Sequence, residues 1–248
     1  MSIMIQSIHI VLTLGIFAVL IWRILANAGV PFKKTIPEQV RSVAEAPTLQ
    51  ESAKVFGYTM LFRVFVLIAG LIIYCLFVET ASQVQWGNFL ENWIKWDAKH
   101  YISISEGYTA LAETGDYTTL VFFPLYSVLL KLVRFVIPNA VVAGLLVSAV
   151  ASSLACVFLY KLVCLDYSKT TAQTSVLLLC LFPFGFFYSA IMSASVFLLT
   201  SVTTLYYTRK HHWWVAGICG CFAALSRSIG VFLIFPAMIE LLEETKLL

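Results

Sequence analysis

The stretch VVAGLLVSAVASSLACVFLYKLV, residues 141–163, decides the class of fold. Its one charged residue is Lys161, and as an α-helix it is long enough to cross the roughly 30 Å hydrocarbon core of a bilayer. Further apolar runs occupy about residues 8–26, 60–77, 121–137, 171–187, 196–208, 213–225 and 230–242. We therefore predict an all-α, polytopic membrane protein, a helical bundle with about seven to eight membrane segments.

The composition of the whole chain agrees with a membrane protein. Of its 248 residues, 60% are hydrophobic and only 12% are charged, whereas soluble chains carry roughly 25% charged residues. These values exclude a soluble domain, a disordered chain, a collagen and a coiled coil. The formal net charge of +3 does not indicate nucleic-acid binding, and we expect no nucleic-acid partner.

Basic residues between the first two apolar runs set the expected orientation. Arg63 lies at the start of the second run, and the polar segment before it contains Lys33, Lys34, Arg41 and Lys54. The positive-inside rule places such a loop in the cytoplasm. We therefore divide the chain into residues 1–59, an N-terminal membrane helix with a cytoplasmic loop, and residues 60–248, the main transmembrane module.

Residues 79–120 form a long acidic segment of moderate hydrophobicity. Its bases are Lys95 and Lys99, and its acidic residues are Glu79, Glu91, Asp97, Glu106, Glu113 and Asp116. Because it follows a run that starts at a cytoplasmic loop, we place this segment on the outer face of the membrane. Within it, residues 85–104, QWGNFLENWIKWDAKHYISI, mix aromatic and polar side chains, which favours an amphipathic helix lying in the membrane interface.

Asp97 is the first candidate for chemistry in this outer segment. It follows Trp96 directly and lies close to Tyr101 in sequence. A carboxylate held among aromatic residues at the membrane surface is partly desolvated, and this setting makes it a better general base near neutral pH. The alternative is a purely structural helix on which Asp97 and Lys99 face water.

Two further features lie in the apolar second half of the chain. Counting crossings outward from the acidic segment gives a parity conflict near residues 183–185, so we predict that one segment breaks or re-enters the membrane there. Arg227 lies inside FAALSRSIGVFLIF, residues 222–235, where a charge is costly unless it is paired or faces water. Arg227 either holds a phosphate group or is a structural residue that snorkels to the membrane surface or bonds the carbonyls at a helix end.

Several short motifs follow one another in order from residue 96 onward. They are Trp96-Asp97-Ala98-x-His100-Tyr101, Gly107-Tyr108, Phe122-Phe123-Pro124-Leu125, Pro183 with Phe186-Phe187, Ser193-x-Ser195-x-Phe197 and Ser226-Arg227-Ser228-x-Gly230. In this order and spacing they resemble the PIG-V family, which comprises GPI mannosyltransferase 2 and its bacterial relatives. The resemblance covers about residues 96–240.

This resemblance implies a GT-C architecture, in which the first large outer loop carries a catalytic carboxylate. The implied donor is a hexose linked to a polyprenyl phosphate, and the hexose is mannose in the characterised relatives. The implied acceptor is a glycan or glycolipid at the outer face, and transfer in one step would invert the anomeric centre. The chain has no Gly-rich nucleotide-binding loop, which fits a lipid-linked donor.

By the same resemblance, Asp97 is the general base that deprotonates the acceptor hydroxyl. The residues that we expect to bind substrate are Trp96, His100, Tyr101, Tyr108 and Arg227. Arg227 would hold the donor phosphate, and His100 would bond that phosphate or orient Asp97, with a plain interfacial histidine as the alternative. No metal ligands are predicted and no cofactor is certain, since related enzymes differ in whether they use a divalent cation.

The chain also departs from the family pattern. Met192 and Ala194 stand where the pattern has Tyr and Glu, and Ile229 replaces a polar residue. The chain is also C-terminally short of the usual family length, ending at Leu248. A second hypothesis is therefore a non-catalytic membrane subunit or scaffold derived from such an enzyme, with a membrane-protein partner. The short loops and the lack of an N-x-S/T sequon favour a bacterial plasma membrane.

Overall fold

Helices form the whole of the regular structure that the computed structural model describes, which covers residues 46–77, 86–107 and 121–245. No strand occurs in these ranges, so the prediction of an all-α fold is confirmed. The helices are α1 (Leu49–Phe77), α2 (Trp86–Glu91), α3 (Ala98–Glu106), α4 (Pro124–Arg134), α5 (Ala140–Val163), α6 (Lys169–Leu181), α7 (Ala194–Arg209), α8 (Trp213–Ser226) and α9 (Ile234–Glu244).

Two of the described helices, α1 and α5, are long and apolar enough to cross a membrane, each with a mean hydropathy of 2.3. The other described helices are shorter than the roughly 20 residues that a straight crossing needs. The total of about seven to eight membrane segments therefore stays a prediction. The first predicted run, residues 8–26, lies outside the described residues.

Helix α5 is the central helix of the described fold. It packs against α1, α4, α6 and α7, and 72% of the residues in its apolar stretch are buried. Ala, Ser and Gly are frequent along it, and such small residues let neighbouring helices approach closely. The helix begins at Ala140 because the side chain of Asn139 accepts hydrogen bonds from the N–H groups of Val141 and Val142, both at 3.0 Å.

Helix α1 begins earlier than the predicted run 60–77, because a capping box fixes its start at Leu49. The Thr48 N–H donates to Glu51 Oε2 at 2.7 Å, and the Glu51 N–H donates to Thr48 Oγ1 at 3.2 Å. Each side chain thus satisfies a backbone group at the helix terminus. Residues 49–59, which the sequence predicts as part of a polar loop, are therefore the first turns of the helix.

The longer helix changes the placement of Arg63. The sequence predicts this residue at the start of an apolar run, but it lies near the middle of α1 and is fully buried. Its Nη1 donates to the carbonyl of Gly185 at 3.3 Å, and its guanidinium lies within 6 Å of the ring centroids of Phe62 and Tyr188. A buried cation therefore joins α1 to the chain between α6 and α7.

Residues 182–193, which we call the connector, join α6 to α7. Helix α6 ends at Leu181, and a single 3₁₀ turn, Gly185–Tyr188, precedes the start of α7, so the helical structure is interrupted near residues 183–185. That a segment breaks or re-enters the membrane there stays a prediction. The connector rests on α5: the Ser148 hydroxyl donates to the Ala190 carbonyl at 2.6 Å. A Cβ on Gly144 would lie 2.9 Å from Cγ2 of Ile191, so only a glycine leaves room for Ile191.

The sequence around Asp97 forms two helices where the sequence predicts one amphipathic helix over residues 85–104. Helices α2 and α3 are separated by residues 92–97, and Trp96 has a positive φ of 50°, which a continuous helix does not allow. Helix α3 then packs on α4, where the Ser127 hydroxyl donates to the Tyr101 carbonyl at 3.0 Å. Arg134 pairs with Glu106 at 3.2 Å.

Two other predicted runs give shorter α-helices than expected. The run 121–137 contains only α4, which starts at Pro124, a residue suited to the first position of a helix. The run 230–242 is divided into a 3₁₀ segment, Ser228–Leu233, and α9. The run 213–225 agrees with α8 to within one residue.

Candidate functional site

A cavity of about 680 Å³ is bounded by the start of α3, the connector and the end of α8. We call it the Asp97 cavity. Four residues predicted from the sequence line it: Trp96, Asp97, Tyr101 and Arg227. Half of the remaining lining residues are aromatic, namely Phe122, Phe123, Phe182, Phe184, Phe187 and Tyr188. The structure thus brings together residues that lie more than a hundred positions apart in the chain.

The Asp97 side chain is not used to stabilise the fold. Asp97 occupies the N-cap of α3, and its carbonyl accepts hydrogen bonds from the N–H groups of His100 and Tyr101. Its carboxylate makes no capping bond, and among the described residues no basic side chain forms an ion pair with it. The exposed carboxylate therefore lines the cavity with its acceptor sites open.

Trp96 places the neighbouring carboxylate through an unusual turn. A bulky residue rarely adopts a positive φ, and holding it there costs about 1–3 kcal/mol. The indole nevertheless remains 63% exposed, so burial of the ring does not compensate for this cost. Its centroid lies 5.4 Å from the ring of Phe187 and 6.2 Å from that of Phe186. The strained turn holds an aromatic face at the cavity wall.

Tyr101 is the buried member of the site. Its hydroxyl donates to Ser193 Oγ at 2.8 Å and so ties α3 to the end of the connector. Burial raises the pKa of the Tyr101 phenol and the Asp97 carboxylate adds to this rise, while the bond to Ser193 and the Arg227 guanidinium act in the opposite direction. The phenol therefore stays protonated at neutral pH, and its pKa responds to both Asp97 and Arg227.

Arg227 reaches the cavity because α8 ends one residue before it. Its backbone is extended, with φ −155° and ψ 143°, and Gly230 folds back against α8. A Cβ on Gly230 would lie 2.4 Å from the carbonyl of Ala223, so this close return requires glycine. The guanidinium lies 5.9 Å from the ring centroid of Phe197. Among the described residues its exposed side chain forms no ion pair and no bond to a helix-end carbonyl, so its role at the cavity and the alternative of a snorkelling arginine both stay predictions.

Of the remaining two predicted site residues, His100 lies beside the cavity and Tyr108 falls outside the described residues. The His100 ring stacks on Phe122, with centroids 4.7 Å apart and an interplanar angle of 16°. His100 thus contacts a wall residue of the cavity without being one of its lining residues. Tyr108 lies outside the described residues, and its place in the site stays a prediction.

Sequence reasoning missed part of the wall. Met192, Ser193 and Ala194 line the cavity at the junction of the connector and α7. The signal for Ser193 is its place in the motif Ser193-x-Ser195-x-Phe197, which points to the site without assigning a role. Met192 and Ala194 are the two departures from the family pattern noted above, so these departures fall on the wall of the cavity.

The chemistry available to the cavity follows from Asp97 and Arg227, two charges with no ion-pair partner in the part of the chain that the structure describes. A carboxylate accepts a proton, and a guanidinium offers several N–H donors to phosphate oxygens. Aromatic walls suit an apolar chain or the face of a sugar ring. In residues 46–77, 86–107 and 121–245, no three His, Cys, Asp or Glu side chains cluster as a metal site would require.

The described fold is all-α, and two of its helices are long and apolar enough to cross a membrane. The family model described as Mannosyltransferase (PIG-V) matches residues 75–244, and the chain belongs to this family. Membership supports a membrane glycosyltransferase and implies a sugar donor and a glycan acceptor. The resemblance found in the sequence motifs is therefore confirmed. No curated protein and no solved structure matches the chain.

Proposed function

We propose that this protein transfers a hexose, mannose, from a polyprenyl-phosphate donor to a glycan or glycolipid acceptor at the outer face of the membrane. The observation that carries the proposal is that Asp97 and Arg227, both without an ion-pair partner among the described residues, line one cavity. Membership in a mannosyltransferase family supports the choice of sugar.

The proposed reaction is a single displacement at the anomeric carbon. The acceptor oxygen attacks that carbon, the bond from the carbon to the phosphate oxygen breaks, and the lipid phosphate leaves with the bonding electron pair. Asp97 accepts the proton of the acceptor hydroxyl as the new bond forms. Arg227 balances the negative charge of the departing phosphate. Because attack and departure occur on opposite faces of the sugar, the anomeric centre is inverted.

The proposed donor fits the shape and chemistry of the cavity wall. Phe182 and Phe184, both more than half exposed, line the cavity where the connector interrupts α6 and α7. Exposed aromatic rings at such an opening suit a polyprenyl chain that enters from the bilayer. We accordingly propose a multi-pass, GT-C-like enzyme of the plasma membrane, with the α2–α3 segment on the outer face.

The test of this function is transfer of radiolabelled mannose from polyprenyl-phosphate mannose in proteoliposomes, with a membrane extract as acceptor. We expect transfer by the wild type and its loss in Asp97→Asn. The matched control is Glu91→Gln, which neutralises an exposed carboxylate of the same segment that does not line the cavity. Full transfer by Asp97→Asn would refute the assignment of the base.

A second candidate function is a non-catalytic subunit. It is favoured by Ala194, which lines the cavity where the family pattern has a glutamate. This alternative predicts that the wild type neither transfers mannose nor binds the donor, and that it co-purifies with another membrane protein in a fixed ratio. Donor binding by the isolated chain that Arg227→Ala abolishes would contradict it.

A further inference from the structure

A second, smaller cavity adjoins the Asp97 cavity. Its volume is about 230 Å³, below the roughly 300–1,000 Å³ typical of sites for drug-sized ligands, so it suits a single ring. Trp96 and Met192 line both cavities. The indole of Trp96 is therefore a common wall between a small chamber and the chamber that holds the carboxylate.

The small cavity is built around the indole of Trp93. Gly70 of α1 lines the same cavity, and a Cβ there would lie only 3.1 Å from Cζ2 of Trp93. Glycine thus allows this ring to lie against the helix. The ring of Phe89 meets Trp93 edge-on at 6.4 Å, and Tyr74 lies 6.0 Å from Phe89. The aromatic rings are held by one another and by α1, so the chamber is preformed.

Two polar side chains complete the lining. Asn92 and Lys95 both line the cavity, and both are exposed. Among the described residues, neither takes part in an ion pair or in a side-chain hydrogen bond. An amide both donates and accepts hydrogen bonds, and an ammonium group donates three. These groups are therefore available to a ligand.

This combination of aromatic and polar side chains matches the apolar faces and the polar edge of a sugar ring. A pyranose presents C–H groups on its faces and hydroxyl groups around its edge. Its faces pack against aromatic rings such as Trp93 and Trp96, while its hydroxyls need donors and acceptors such as those of Asn92 and Lys95. Because both polar side chains are exposed, a bound sugar can exchange their hydrogen bonds to water for bonds to its own hydroxyls, whereas an apolar chain would use only the aromatic part of the lining.

We propose that the small cavity binds the terminal pyranose of the acceptor glycan and presents its hydroxyl past Trp96 to Asp97. This inference rests on the proposed glycosyl transfer, because it takes the Asp97 cavity as the donor site. It also explains the strained backbone of Trp96: a positive φ at this residue sets the indole between the two chambers, with the carboxylate one residue further on. Strain of this kind is found at ligand clamps.

The first test measures sugar binding without any reaction. Saturation-transfer difference NMR on the detergent-purified full chain, with methyl α-D-mannopyranoside and methyl α-D-glucopyranoside as probes, should give a signal from at least one glycoside. Trp93→Ala should weaken that binding about two- to tenfold, the factor expected for one aromatic contact. Trp214→Ala, which removes an indole that is 89% exposed and far along the chain, should leave it unchanged.

A second variant guards against loss of folding. Gly70→Leu pushes the Trp93 indole away from α1, because even a Cβ there would lie 3.1 Å from Cζ2 of Trp93, and the added side chain occupies the chamber. Glycoside binding should therefore disappear, and a thermal transition within a few degrees of the wild type would show that the fold is kept. Gly57→Leu is its matched control, because the same substitution in the same helix meets no atom within 4 Å. Glycoside binding that survives Gly70→Leu, or a wild type that binds neither probe, overturns the proposal.

The outcome can be separated from that of the proposed function. If Asp97→Asn leaves glycoside binding intact and the wild type still transfers no mannose, the sugar site stands and the proposed reaction fails. If transfer occurs but Trp93→Ala raises the KM for the donor and not for the acceptor, the chamber holds part of the donor and the inference is wrong.

Discussion

The Asp97 cavity is similar in size to a cavity of about 770 Å³ between α1, α5 and α6. The two cavities differ in whether their acidic side chain forms an ion pair. In the second cavity, Glu51 Oε1 pairs with Lys169 Nζ at 2.8 Å, and Glu51 Oε2 accepts the capping bonds of Thr48. In the first, Asp97 and Arg227 have no such partners among the described residues. The comparison separates the Glu51–Lys169 pair, which holds α1 to the start of α6, from Asp97 and Arg227, which are left available to a ligand.

The largest expected effect in a test of this comparison is on the rate of mannose transfer. Asp97→Asn should lower the rate of mannose transfer about 10²- to 10⁴-fold, the usual contribution of a general base. The thermal transition of the protein should not move, because the carboxylate makes no bond within the described fold. Rate and thermal transition measured on one preparation give both values. A folded variant with normal transfer would place the base elsewhere.

Arg227→Ala should have the next largest effect, because hydrogen bonds to a charged phosphate are worth about 1.5–3 kcal/mol, or roughly 10- to 150-fold in affinity. We expect a higher KM for the donor, with partial recovery in Arg227→Lys, which keeps the charge but loses the fork of donors. The control is Lys54→Ala, the exposed cation of the second cavity. Equal donor affinity in the Arg227→Ala variant and the wild type would contradict the role.

Tyr101→Phe should give a smaller, mixed effect. Loss of the buried bond to Ser193 should lower the free energy of unfolding by about 0.5–1.5 kcal/mol and loosen the junction of α3 with the connector. Transfer should fall only a few-fold, since the ring remains. Tyr126→Phe is the matched control: it removes bonds to Gly144 and Ser148 outside the cavity and should change stability alone. Chemical unfolding and donor KM distinguish the two variants.

Glu51→Gln should have the smallest effect and the reverse pattern of Asp97→Asn. It weakens the pair with Lys169 and the capping box of α1, so the thermal transition should fall slightly. Mannose transfer should be unchanged, because Glu51 does not line the Asp97 cavity. A Glu51→Gln variant that loses transfer at an unchanged thermal transition would show that the second cavity also takes part in the reaction.

The sequence predicts those parts of the fold in which local signals and packing agree. Helix α5 is predicted to within a residue at its start, because Asn139 caps an apolar run that is also buried. The start of α1 is not predicted, because the polar residues of its first turns are typical of a loop. Thr48 and Glu51 nevertheless cap a helix there. Hydropathy does not distinguish a polar helical turn from a polar loop.

The candidate site, like the fold, could be predicted from the sequence only in part. The ordered motifs predict that Asp97, Tyr101 and Arg227 belong together, and all three line the same cavity. The left-handed turn at Trp96 could not be predicted, since a tryptophan carries no local preference for a positive φ. The hydrogen bond between Tyr101 and Ser193 could not be predicted either, because it joins residues 92 positions apart in the chain.

The buried Arg63 has a consequence for how the protein is made. Its hydrogen-bond partner, the carbonyl of Gly185, lies 122 residues further along the chain. At a translation rate of about 5–20 residues per second, roughly 6–24 s pass between the synthesis of the two residues. During that interval α1 carries an arginine near its middle without its later partner, which costs about 2.5–3.5 kcal/mol on insertion scales. We expect α1 to be held at the insertion machinery until the connector has been synthesised.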